Sequence, residues 1–214
     1  MLAAGLWQCM YALKIGFKRT QILTPLYSAN NELYYQVNIH HKKEVYPKKF
    51  LYTGRLVEIK GIKVLLEAWR TLPDKKGWQL TVIGNGELEG CLKQDKEIEW
   101  FPFMPQTETC KIMENAGCAL IPSLFEPWGL VIHEAVAAGL PVIVTKECGA
   151  VNQFVINKYN GYLIDGGNVD SLRNAMAKII NSSDSELMKM AQNSRRLSFR
   201  ISPEDVASTL LSLL

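Results

Sequence analysis

No two of the five cysteines (Cys9, Cys91, Cys110, Cys118 and Cys148) are spaced as C-x2-C. The three histidines include an adjacent pair, His40 and His41, but no metal-site spacing. The pattern therefore predicts no zinc site and no disulfide framework; five reduced thiols fit a cytosolic protein. The net charge of +3 is too small to argue for nucleic acid or a membrane surface. No apolar run approaches the ~20 residues of a membrane-spanning helix. Residues 1–13 are apolar, but the first cation is Lys14, so the basic start of a signal peptide is lacking. Leu6, Met10, Leu13 and Phe17 recur there at helical spacing instead. Internal repeats and low-complexity segments are also lacking. What remains is a chain of 214 residues, 48% hydrophobic and 21% charged. That suits one sizeable core, or one domain with a fragment of another.

From Phe50 onward, β-rich runs alternate with helical ones. The runs fall at 50–53, 79–83, 98–101, 118–121, 142–145 and 162–164. Helical patterns fall at 62–71, 107–115, 130–138, 169–181, 184–197 and 203–214. The alternation predicts an α/β fold, a Rossmann-like parallel six-stranded sheet with helices on both faces. Ligands on such a sheet bind at the carboxyl ends of the strands. Gly54, Arg55, Gly84, Gly86, Pro122, Glu126 and Gly129 all follow strands and are expected on that edge. Gly84-Asn85-Gly86 permits a tight turn, but position 89 is Glu, so no G-x-G-x-x-G fingerprint exists and a nicotinamide enzyme is not expected. Residues 1–48 do not make a domain. They read as a helix at 6–15, a strand at 21–24 and a loop at 27–47.

The most informative pair is Glu126 and Glu134. Pro127 bars Glu126 from regular helix. Gly129 opens a helix that Gly139 and Pro141 end. Glu126 thus lies in a loop at a strand's carboxyl end, with Glu134 about two turns, or roughly 11 Å, further along. Free amides at the helix start offer an anion site between the two carboxylates. Glu134 is flanked by Val131, Ile132, Ala135 and Val136. A carboxylate there needs a partner, and a ligand's hydroxyl pair fits, because a carboxylate accepts two hydrogen bonds. One solvated Glu and one loop Glu is the plain alternative. His133 points about 100° away from Glu134 on the helix and reads as structural. Arg55 and Lys60 flank a loop that opens a helix; they read either as phosphate ligands or as solvated cations.

Taken together, Glu126-x7-Glu134 with Pro127, Gly129, Gly139 and Pro141 resembles the signature of retaining GT-B glycosyltransferases of group 1, family four. Three other stretches resemble that family's motifs in the same order. They are Gly54-Arg55-Leu56 with Lys60-Gly61, Val82-Ile83-Gly84-Asn85-Gly86, and Asn160-Gly161-Tyr162-Leu163. The likeness covers roughly residues 50–214. It implies that residues 49–214 are the Rossmann-like donor-binding domain. Residues 1–48 would be a remnant of the N-terminal GT-B domain plus linker, with most of the acceptor-binding half missing.

The resemblance further implies a nucleoside-diphosphate-sugar donor, a saccharide or lipid-linked acceptor, and no metal or other cofactor. Arg55 and Lys60 would hold the diphosphate and Glu134 the ribose. Glu126 would sit by the donor sugar. Gly54, Gly84, Gly86, Gly129, Leu130 and Val131 would line the substrate. Phe103, Met104 and Pro105 occupy the loop that holds the base in relatives, or simply pack. Trp128 stands where Phe is common, and Asn30 where Asp is common; neither is given a role. A cytoplasmic protein, peripheral at most at the inner membrane, is expected. The two apolar ends are expected to pack on each other or, in a homodimer, on a second copy, and the isolated chain is expected to turn over little. Two other readings stay open at this stage: a non-catalytic nucleotide-sugar-binding module and a sugar-nucleotide epimerase.

Overall fold

The computed structural model describes residues 1–93 and 95–213. Its strands are β1 (Lys49–Thr53), β2 (Gln79–Ile83), β3 (Ile98–Phe101), β4 (Cys118–Ile121), β5 (Val142–Thr145) and β6 (Gly161–Ile164). They form one six-stranded sheet in the order β3-β2-β1-β4-β5-β6. Every pairing is parallel. This is the doubly wound order, and the winding reverses between β1 and β4.

The helices are α1 (Leu6–Lys14), α2 (Asn31–Tyr35), α3 (Ile62–Arg70), α4 (Gly90–Lys93), α5 (Gln106–Glu114), α6 (Leu130–Ala137), α7 (Val151–Phe154), α8 (Val169–Asn181), α9 (Asp184–Ser198) and α10 (Pro203–Leu211). They cover both faces of the sheet, and strand alternation supplies two cores. Leu51, Ala119, Val142 and Val144 pack with Ile132, Ala135 and Val136 of α6. Phe50, Tyr52, Leu120 and Ile143 pack with Leu65 and Trp69 of α3 and Met176 of α8. Ser183 and Ser202 cap α9 and α10 through capping boxes, and Asn168 caps α8.

The first 48 residues depart from their sequence reading. The expected strand at 21–24 is a 3-10 turn at Arg19–Gln21 followed by an isolated bridge from Leu23 to Leu2. With no further neighbour to pair among the described residues, the β-prone run has no ladder to join. The expected loop at 27–47 contains α2. Asn30 caps it by accepting from Leu33 N at 3.4 Å, and the local side-chain acceptor outweighs the turn-rich composition. The segment is fastened to the domain. Lys42, buried, donates to the carbonyls of Met113 (3.3 Å) and Ala116 (2.7 Å) at the end of α5. Arg195 of α9 donates to Tyr35 O (3.1 Å) and Val37 O (2.8 Å).

Candidate nucleotide and phosphate site

Two adjoining cavities open at the carboxyl ends of the central strands, beside the winding reversal. The larger, about 550 Å³, is lined by Tyr34, Gly54, Arg55, Gly84, Asn85, Phe103, Met104, Gln106, Val131 and Glu134. The smaller, about 270 Å³, is lined by Gly54, Arg55, Lys60, Ser123, Glu126, Gly129, Leu130 and Val131. Gly54, Arg55 and Val131 border both, so the two form one groove over β1 and the start of α6.

Glycine backbone builds this groove. Gly61 sits at φ +73, and a Cβ there would lie 2.0 Å from Pro122 O. The start of α3 can therefore press against the exit of β4, which keeps Lys60 within reach of Glu126. Gly129 sits at φ +91 as the N-cap of α6. These are left-handed conformations that favour glycine. As the first two residues of α6, Leu130 and Val131 carry amides without partners inside the helix, at its positive end. Lys60 and Glu126 form an ion pair in the smaller cavity, both mostly buried. Arg55 is exposed at the border between the cavities.

In the larger cavity, Gln106 Nε2 donates to Glu134 Oε1 at 3.1 Å. The fully buried Tyr34 lines the same cavity as this carboxylate. Burial raises the Glu134 pKa, while hydrogen bonds from Tyr34 and Gln106 oppose the rise. Burial likewise raises Tyr34, and the neighbouring Glu134 charge adds to it. Asn85 bridges two loops: its Oδ1 accepts from Phe103 N at 2.6 Å and its Nδ2 donates to Glu89 at 2.8 Å. That fixes the loop after β3 against the turn after β2.

Of the residues singled out in the sequence, Gly54, Arg55, Lys60, Gly84, Glu126, Gly129, Leu130, Val131 and Glu134 all border this groove. Gly86 does not. A Cβ there would lie 2.4 Å from Leu56 O, so its small size serves close packing of backbone behind the site. Trp128 is buried and packs edge-on against Phe154 at 6.4 Å. His133 is fully buried. Its Nδ1 accepts from Ala29 N at 3.0 Å and its Nε2 lies 3.1 Å from Ser198 O, so it takes a structural place. Among the described residues no three His, Cys, Asp or Glu side chains gather as a metal site. No described helix is long and apolar enough to cross a membrane.

The model of the family "Glycosyl transferases group 1" matches residues 37–197. The chain belongs to this family. It is 32% identical over 157 residues to an uncharacterized glycosyltransferase of Haemophilus influenzae, covering 71% of this chain and 44% of the relative. It is 32% identical over 140 residues to the amylovoran biosynthesis glycosyltransferase AmsK of Erwinia amylovora, covering 59% of this chain and 34% of the relative. This group 1 chain thus spans less than half the length of these relatives. Its fold matches the crystal structure of Anabaena Alr3699/HepE in complex with UDP and glucose. The TM-score is 0.78 at 19% identity, over 99% of this chain and 62% of that one. The six-stranded parallel sheet is that of a GT-B half.

Sequence reasoning about this group 1 domain missed Tyr34, Gln106 and Asn85 as groove residues. Tyr34 lay in a stretch read as loop. Gln106 carried a usable signal: a polar residue opening the helix after β3, on the same sheet edge as Glu134.

Proposed function

We propose that this chain is the donor-binding part of a retaining GT-B glycosyltransferase that uses a nucleoside-diphosphate sugar. The observation that carries the reading is the division of the groove. Arg55, Lys60, Glu126 and the first amides of α6 meet in one cavity, and Glu134 lines the next. In this reading Arg55, Lys60 and the amides of Leu130 and Val131 hold the diphosphate. Glu134 accepts hydrogen bonds from the ribose hydroxyls. Glu126 lies by the donor sugar and orients its hydroxyls or stabilises positive charge developing at the anomeric carbon. The bond from that carbon to the leaving phosphate oxygen breaks, and a bond to the acceptor oxygen forms on the same face. The acceptor's hydroxyl proton leaves with the diphosphate. Charge on the departing diphosphate is neutralised by Arg55, Lys60 and the helix amides, a role that needs no further cofactor. The relative Alr3699/HepE, whose structure contains UDP and glucose, makes UDP the first ligand to try.

On this reading residues 1–48 belong to the linker and the edge of a second GT-B half. That half supplies further acceptor contacts, so turnover by the 214-residue chain alone is expected to be low. Isothermal titration of the chain with UDP tests the assignment. The expected result is binding that Glu134→Ala weakens roughly tenfold or more, the scale for a hydrogen bond to a charged group. No binding of any nucleoside diphosphate, or equal affinity in the variant, would sink it.

A further inference from the structure

Glu126 lines a second cavity besides the one it shares with Lys60. This groove, about 550 Å³, is bordered by Trp7, Gln8, Tyr11, Phe125, Glu126 and Glu147. Three aromatic side chains meet there with their surfaces open: Trp7 is 47% exposed, Tyr11 61% and Phe125 60%. Trp7 and Tyr11 are four residues apart on α1 and so stand on one face of it. That face is distinct from the stripe of Leu6, Met10 and Leu13. The groove is a built feature. Gln8 Nε2 donates to Pro127 O at 2.5 Å, which ties α1 to the loop carrying Glu126. Gly5, which precedes α1, packs so close to Trp128 that a Cβ would come within 2.4 Å of the ring.

The chemistry of the walls selects an occupant. Aromatic faces with polar edges suit the C–H faces of a sugar ring, and carboxylates accept hydrogen bonds from hydroxyls. The charged side chains of the lining are Glu126 and Glu147, with no Lys, Arg or His. The cations beside them are already engaged: Lys60 pairs with Glu126, Lys146 lies 3.9 Å from Glu147 and also pairs with Asp165, and the Met1 ammonium at the groove's edge donates to Gln21 O at 2.6 Å. Neither lysine is part of the lining, so an anionic ligand would have to compete with Glu126 and Glu147 for their paired cations. The volume lies in the ordinary range of small-ligand sites.

We propose that this groove is an acceptor subsite for a neutral saccharide, with Trp7, Tyr11 and Phe125 as its stacking surface. The assignment of the saccharide as acceptor rests on the donor reading above. Glu126 then stands between donor and acceptor, bordering both cavities, and part of the acceptor surface resides on this chain.

Saturation-transfer NMR on the 214-residue chain tests this, with maltose as the neutral probe and glucuronic acid as the anionic one. Ring-proton contact is expected for maltose and weaker contact for glucuronic acid. Trp7→Ala and Tyr11→Ala should each weaken maltose binding about two- to tenfold, the range for one aromatic contact. Both side chains are exposed, and circular dichroism checks that the variants fold. Maltose contact that is absent, or that survives both substitutions, overturns the subsite. Glucuronic acid binding as well as maltose overturns its neutral class. Sedimentation showing that the Trp7 face is covered by a second copy also overturns it. Failure of the wild-type chain to bind UDP in a parallel titration overturns the donor reading instead.

Discussion

Gln106 and Glu134 come from different helices, α5 and α6, yet the Gln106 amide donates to the Glu134 carboxylate at 3.1 Å. Tyr34, from the segment before the sheet, lines the same cavity and also opposes the rise of the Glu134 pKa. Burial alone raises the Glu134 pKa, and these donors hold it down. A ribose hydroxyl pair donates best to the ionised form. Nucleoside diphosphate affinity should therefore fall as pH drops through the raised Glu134 pKa. Gln106→Ala or Tyr34→Phe removes a donor to the anion, so the fall should begin at higher pH. Titration of UDP across pH for wild type and both variants checks this. Superimposable pH profiles would show that neither residue positions the carboxylate.

The Lys60–Glu126 pair separates phosphate from ribose recognition. A diphosphate entering the smaller cavity competes with Glu126 for the Lys60 ammonium. Lys60→Ala should weaken UDP about tenfold, since a charge-assisted hydrogen bond contributes ~1.5–3 kcal/mol and some of that is offset by releasing Glu126. Uridine affinity should hardly change. Equal losses for uridine and UDP would mean that the variant disturbs the whole groove, and the phosphate role would fail.

Much of this was legible in the sequence, for identifiable reasons. The β-rich runs at 79–83, 98–101, 118–121 and 142–145 match the observed strands. Strands buried on both faces read as short continuous apolar runs, as Cys118–Ile121 and Val142–Thr145 do. The glycines at 61 and 129 mark backbone conformations that side chains disfavour, so the turns around Lys60 and Glu126 were readable. What escaped depends on contacts distant in sequence. Tyr34 and Glu134 are 100 positions apart, and no local pattern links them. The run at 21–24 has β propensity but, among the described residues, only Leu2 to pair with, and propensity cannot report a missing neighbour.

Apolar surface remains open on α1. Leu6 is 46% exposed and Met10 51%. At the far end α10 touches the N-terminal segment through Thr209 Oγ1, which donates to Thr24 O at 3.1 Å. Leu210 and Leu211 nevertheless stay exposed. Leu214, at the end of the helical pattern expected over 203–214, lies outside the described residues. Exposed apolar side chains of this kind promote association. Sedimentation velocity should show concentration-dependent self-association of the chain. The double substitution Leu6→Gln, Met10→Gln should reduce it while costing no more than about 1 kcal/mol of stability, as surface changes do. A strictly monomeric wild type would refute this.

His133 links stability to acid. It is fully buried and stacked on Phe154 at 4.0 Å. With Nδ1 accepting from Ala29 N and Nε2 facing Ser198 O, the network assigns a neutral ring with its proton on Nε2. Burial lowers its pKa to about 4 from 6.5, and the Ser198 hydrogen bond opposes the shift. The folded pKa is depressed, so between these values the unfolded chain binds more protons. The contribution is therefore present above pH 6.5 and is lost as pH falls towards about 4. The full loss is about 3 kcal/mol at 1.36 kcal/mol per unit. Glu134, raised by burial, shifts the balance the other way, because protonation favours its folded form. His133→Gln should melt lower at neutral pH, having lost one of its two bonds, but should lose less stability on acidification. Thermal melts at neutral pH and near pH 4 compare the two slopes. A wild-type His133 ring that titrates near 6.5 by NMR, or equal slopes in wild type and variant, would show that this histidine does not carry the acid sensitivity.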